Sequence, residues 1–129
     1  MAIHWTDEER TKIEDGISRH GIRTGRCAAL ARIVHPIARQ QDPDACAIRL
    51  RPLKGAIHLV PKAERIPYWH EHVYVETRAH AVDAITGAAG YAPSSTYVND
   101  HWDFAELMRI ERVDPTTVDP GIQDVGEAS

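Results

Sequence analysis

The sequence predicts an α+β domain, with N-terminal helices packed on an antiparallel sheet. Two observations carry this. Helix-forming segments occupy the first third of the chain, and two-residue alternation begins only at Cys46. From there the apolar segments are short and punctuated by Pro and Gly, the pattern of strands and turns.

The first helix is expected over about residues 7–20. Thr6 followed by Glu9 is a capping-box pair, and Asp7, Glu8 and Glu9 suit the positive end of a helix. Ile13 and Ile17 give a thin apolar stripe, and Gly21 is the expected stop. A short connection, Ile22 to Arg26, leads to a second helix starting near Cys27. Ala28, Ala29, Leu30 and Ala31 are strong helix formers, and Leu30, Ile33, Val34 and Ile37 fall at helical spacing. Pro36 should kink this helix or end it near Val34. Residues 39–44 read as a loop.

Cys46, Ile48 and Leu50 alternate with Ala47, Arg49 and Arg51, the period of a half-buried strand with the arginines solvated. Ile57 to Val60 is a weaker strand, and Pro61 to Pro67 a loop. His72 to Thr77 and His80 to Ile85 read as the two arms of a hairpin. Gly87, Gly90, Pro93, Ser94 and Ser95 mark another loop. Trp102, Phe104, Leu107 and Met108 suggest a short helix capped by Asp100 or Asp103. The expected organisation is one domain over residues 1–112 and an acidic, mobile tail over 113–129.

With 129 residues and 43% hydrophobic content, the chain suits a single core. No stretch approaches the roughly 18 apolar residues of a membrane span, and the N-terminus has no secretory pattern. The net charge of −4 comes from four acids after residue 112, where there is no Lys or Arg. The rest of the chain is neutral, which gives no electrostatic case for nucleic acid or membrane binding. Two cysteines do not make a disulfide framework, so a reduced, cytoplasmic thiol is expected.

The clearest chemistry lies in three residues. Cys27 sits at a helix start, where unpaired N–H groups favour a thiolate and can hold an oxyanion. His72 opens a strand and is the natural base. In that strand His72, Tyr74 and Glu76 share one face. If Thr77 faces His80, Asp83 stands opposite Tyr74, diagonal to His72, where a carboxylate would fix the imidazole tautomer. A one-residue slip would send Asp83 to the other face. The bland alternative for Cys27 is a buried, inert core thiol.

The order Gly25-x-Cys27-x-x-Leu30-Ala31, Ile48-x-Leu50, His72-x-x-Val75, Val82-Asp83-Ala84-Ile85-Thr86-Gly87, then Tyr97 and Trp102, resembles the papain-fold toxin domains of bacterial polymorphic toxin systems, in particular their short second type. The resemblance covers about residues 22–105. It implies a papain-like core with Cys27, His72 and Asp83 as a catalytic triad. It also implies acyl transfer on a protein or peptide amide, as protease, glutamine deamidase or transglutaminase. It further implies a dedicated immunity or inhibitor protein, delivery as part of a larger secreted protein, and no cofactor. The second cysteine often found near the nucleophile in such domains is absent here. Trp69 and Tyr74 are the candidate substrate-contacting residues. The second oxyanion donor is expected from the Ile22–Arg26 connection.

Two other readings stay open. His70, His72 and Glu76 have the His-x-His-x-x-x-Glu spacing of cupin-type metal sites, suited to Fe(II), Mn or Zn. The domain could also be a non-catalytic interaction module. Cys46 reads as core, His35 as a helix-end residue, and His58 and His80 as strand residues. Trp5 and Trp102 read as packing anchors.

Overall fold

Helix α1 (Asp7–His20) opens on the expected reciprocal cap. The Thr6 N–H donates to Glu9 Oε1 at 2.9 Å, and the Glu9 N–H donates to Thr6 Oγ1 at 3.1 Å. These contacts come from a computed structural model of the chain, which describes residues 3–20, 27–53, 59–62 and 71–115. Gly21, Ile57 and His58 lie outside the described residues. Glu9 also accepts a hydrogen bond from Gln41 Nε2, tying the start of α1 to the end of the second helix.

Helix α2 (Cys27–Gln41) runs straight through Pro36, so the expected end near Val34 is wrong. Pro36 is exposed, and the helix is held by the face it buries: Leu30, Ala31, Val34 and Ala38. Burial of that stripe outweighs the hydrogen bond that proline removes. Gly16 allows α1 to cross α2 closely. A Cβ at that position would sit 3.1 Å from Ile33 Cδ1 and 3.2 Å from Leu30 Cδ1.

The sheet is antiparallel, in the order β4-β3-β1-β6. Its strands are β1 (Cys46–Pro52), β3 (His72–Glu76), β4 (Ala81–Val82) and β6 (Met108–Val113). A smaller ribbon pairs β2 (Val60–Pro61) with β5 (Trp102–Asp103), so Pro61 belongs to a strand and not to a loop. Helix α3 (Tyr97–His101) follows a 3-10 turn over residues 94–96. The fold class is therefore α+β, as expected. Among the described residues no helix is long and apolar enough to cross a membrane.

Three departures concern the last third. The helix expected around Trp102 to Met108 lies earlier, at Tyr97–His101, and Trp102 itself is in a strand. Residues 108–113 form β6, an edge strand paired with β1 along its length. The expected boundary after residue 112 falls inside packed structure. Val113 pairs with Ala47, and the Pro115 carbonyl accepts a 2.8 Å hydrogen bond from Arg32 Nε. The remaining tail, 116–129, lies outside the described residues.

Both faces of the sheet are covered at its centre. On one face Ala47, Val73 and Val75 pack against α2 and Ile13. On the other, Ile48, Leu50 and Tyr74 pack against Leu59, Tyr97 and Trp102. A strand buried on both faces loses the clean alternation of a half-buried one, which is why Ala47 is as buried as Ile48.

Leu50 and Ile110 are cross-strand partners with opposite exposures, 0% against 53%. Leu50→Ala should therefore cost about 2–5 kcal/mol, and Ile110→Ala less than about 1 kcal/mol. Urea midpoints of the two variants check this. Similar losses in both would show that β6 packs differently.

Candidate active site

The hairpin register is the one that alternation predicts. Val75 pairs with Val82 and Glu76 with Ala81, and the Thr77 N–H donates to the His80 carbonyl at 2.8 Å. Asp83 thus follows β4 opposite Tyr74, on the His72 side. The expected arm to Ile85 is shorter, because the chain turns at Asp83 itself. The Thr86 N–H donates to Asp83 Oδ1 at 2.8 Å, the Asp83 N–H donates to Thr86 Oγ1 at 3.0 Å, and the Gly87 N–H donates to the Asp83 carbonyl at 2.9 Å. Gly87 closes the turn at φ 76°, a conformation natural to glycine.

This turn aims the other carboxylate oxygen at His72. The ring Nε2 lies 2.8 Å from Asp83 Oδ2, with both side chains almost wholly buried. The Tyr97 hydroxyl donates to the same oxygen and sits 3.1 Å from Nε2. Trp102 Nε1–H donates to the Tyr97 oxygen at 3.3 Å. Asp83 is thereby satisfied by His72, Tyr97 and Thr86, as a buried carboxylate must be. The ring of His72 also packs on Tyr74 and Trp102, at centroid distances of 5.8 and 5.1 Å.

Cys27, the first residue of α2, lies beside the same imidazole, near enough to help raise the ring's pKa. With Nε2 committed to Asp83, Nδ1 is the ring nitrogen left for the thiol. Cys27 Sγ also lies 3.8 Å from the Glu71 carbonyl oxygen. The three residues singled out in the sequence therefore converge at one end of the sheet, where α2 begins and β3 starts.

The electrostatics follow from this burial. Desolvation opposes charge on His72, but the hydrogen bonds and negative charges of Asp83 and Cys27 more than offset it and lift its pKa from 6.5 to about 9. Desolvation likewise works against the Asp83 carboxylate, and His72, then Tyr97 and the Thr86 N–H, bring its pKa below the usual value. Burial, then the Asp83 charge, raises Tyr97 well above the ordinary tyrosine range, which keeps it a neutral donor. Cys46 is half-buried in a different setting. Desolvation and the Glu76 charge push its thiol upward.

Two expectations need correction. Tyr74 is 4% exposed and packs on Tyr97 at 4.4 Å, so it is part of the core and does not face a substrate. Arg49 and Arg51 are not simply solvated, since both bind Glu111 Oε1, through NH2 groups at 2.7 and 2.8 Å. Trp69, His70 and the Ile22–Arg26 connection lie outside the described residues. For the metal alternative, His72 spends Nε2 on Asp83, and Glu76 lies at the far end of β3, four residues or about 13 Å along the strand. Among the described residues no three His, Cys, Asp or Glu are grouped so as to hold a metal ion.

Sequence reasoning did not assign a role to Tyr97 or to Thr86. Thr86 carried a usable signal, since Asp83-x-x-Thr86-Gly87 has the spacing of a reciprocal turn. Tyr97 had none, because its partner lies fourteen positions back and meets it only through tertiary packing.

The raised pKa of His72 sets a stability window. Its charged form favours the fold fully below pH 6.5, and that contribution is lost as pH rises through about 9. The lowered pKa of Asp83 acts at the other end: its contribution is present above the ordinary value of 3.8 and is lost on acidification through the folded value. An NMR titration of the His72 ring should give a midpoint near 9, and a midpoint at or below 6.5 would contradict the buried ion pair. Tyr97→Phe removes one donor from Asp83 and should lower stability by about 1–3 kcal/mol in urea denaturation. A neutral effect would mean that the carboxylate does not need it.

In comparisons with protein-family models, curated proteins and solved structures, the chain has no match.

Proposed function

We propose that this chain is a papain-like cysteine enzyme that transfers an acyl group from an amide, with Cys27 as nucleophile, His72 as acid and base, and Asp83 as the group that orients the ring. One observation carries the reading: a single buried imidazole holds a carboxylate at Nε2 and has a helix-initial thiol as its neighbour. A merely structural histidine needs one partner, whereas this one is placed between a nucleophile and an orienting acid. The likeness of the motif order to papain-fold toxin domains supports the same reading. It extends it to a protein or peptide amide as substrate and to an immunity protein as partner.

In the proposed cycle the Cys27 thiolate, paired with the His72 imidazolium, attacks the amide carbon. The C–N bond then breaks as His72 gives its proton to the leaving amine. The resulting thioester is resolved by water or by an amine, whose proton His72 accepts. The first N–H groups of a helix have no intrahelical partners, so the start of α2 can hold the oxyanion. Asp83 stays ionised throughout. It stabilises the imidazolium and fixes which nitrogen faces sulfur.

Iodoacetamide at pH 6 tests the pairing directly. Cys27 should be alkylated faster than Cys46, although Cys46 is the more exposed of the two. Peptide mapping by mass spectrometry gives both rates in one sample. Equal and slow labelling of the two cysteines overturns the activated thiol. Replacing His72 with Gln should bring the Cys27 rate down to that of Cys46.

A further inference from the structure

The sheet end that carries the thiol also carries an arrangement that its own packing does not explain. Arg51 of β1 and Arg109 of β6 are direct cross-strand partners. Cross-strand Cβ atoms are about 4.5–5.5 Å apart, and like charges placed there are destabilising. The two arginines line one open cavity of about 320 Å³ with Pro52 and Leu53, and Leu53 is 38% exposed. A pair of guanidinium groups over an apolar floor suits a carboxylate on a short methylene stem.

The cavity lies at the same end of the sheet as the thiol. Leu50 pairs with His72, so Arg51 stands one residue further toward the end where Cys27 meets the Glu71 carbonyl. The Glu71 carboxylate lies 3.7 Å from Arg49 Nε, and Arg49 and Arg51 share Glu111. That one carboxylate serves two arginines. Among the described residues Arg109 has no ion-pair partner. Among the described residues, charge on this face is therefore three arginines against two glutamates, and the excess lies at the cavity.

We infer that Arg51 and Arg109 form a carboxylate-binding subsite beside the thiol, which selects acyl substrates bearing an acidic side chain or a chain-terminal carboxylate next to the scissile amide. The inference rests on the acyl-transfer reading for its role, but the anion site itself can be measured without it. An anion between the two guanidinium groups relieves their repulsion, so the unliganded protein is less stable at this point than its fold requires.

The test has two parts. The first follows the arginine Nε–H NMR resonances as N-acetyl-glutamate α-amide is added, and separately N-acetyl-glutamine with a free α-carboxylate. Saturable shifts of Arg51 and Arg109 with either ligand support the subsite, and the ligand that acts tells side chain from chain terminus. N-acetyl-glutamine α-amide, which has no carboxylate, should leave them in place. No saturable shift with either acid overturns the subsite whatever the thiol does. The second part compares, as alkylators of Cys27, the bromoacetyl derivative of whichever acid shifts the arginines with bromoacetyl-glutamine α-amide, which has no carboxylate. The acid should react about fivefold faster, and this ratio should fall to one or below in Arg109→Glu. That variant places an acid opposite Arg51, so its urea midpoint should equal or exceed that of the parent. A ratio near one in the parent, or one that survives in Arg109→Glu, refutes the link to the thiol. Slow labelling of Cys27 by both reagents, with the NMR shifts intact, refutes the acyl-transfer role and leaves a carboxylate site.

Discussion

The contact between His72 and Asp83 is the constraint around which the rest of this domain is arranged. Both groups are removed from water, at 1% and 2% exposure. A buried ion pair gains little over an apolar pair, and it is tolerated only when its remaining polar atoms are satisfied. Here that satisfaction recruits distant parts of the chain. Thr86 supplies one donor from the turn after β4, and Tyr97 supplies another from α3. Trp102, the first residue of β5, supports the tyrosine. Three separate segments thus converge on one carboxylate, and a fourth stands behind the tyrosine. The layer covering the second face of the sheet is as much a scaffold for Asp83 as an apolar lid.

That dependence explains which parts of the structure could be read in the sequence. The cap of α1, the start of α2 and the hairpin register all follow from interactions within a few residues, so local pattern reveals them. The register is the instructive case. Asp83 reaches the His72 side only if Thr77 faces His80, and the structure has that register because a slip by one residue would turn Val73, Val75 and Val82 out of the core. The pairing of His72 with Asp83 was legible for that reason, and Cys27 was legible as a helix start.

The unread parts share one cause. Pro36 signals a break, but the break is overridden by the stripe that α2 buries on the sheet. Strand β6 has Arg109, Glu111 and Arg112 among its six residues, and no strand is expected there from the sequence. It becomes a strand because β1 offers an unpaired edge, and its Glu111 binds Arg49 and Arg51 of that strand. Tyr74 looked like a surface residue because a strand with one wet face would expose it. A second layer, made of β2, β5 and α3, covers that face instead. In each case a long-range surface decided the outcome, and one-dimensional periodicity carries no information about such surfaces.

Two coverings of one sheet also determine where chemistry can occur. With helices on one face and the aromatic layer on the other, the imidazole is almost wholly buried, and Cys27 is buried beside it at the start of α2. Cys46, on the neighbouring strand but at the opposite end of the pairing with β3, has no such neighbour. Its register partner is Glu76, a negative charge that opposes a thiolate. The two cysteines of this chain therefore differ by position along one strand pair. One end brings a cationic ring and a helix start to sulfur, and the other brings a carboxylate. The electrostatic setting of each thiol is therefore decided by what its end of the sheet meets and not by the thiol's exposure.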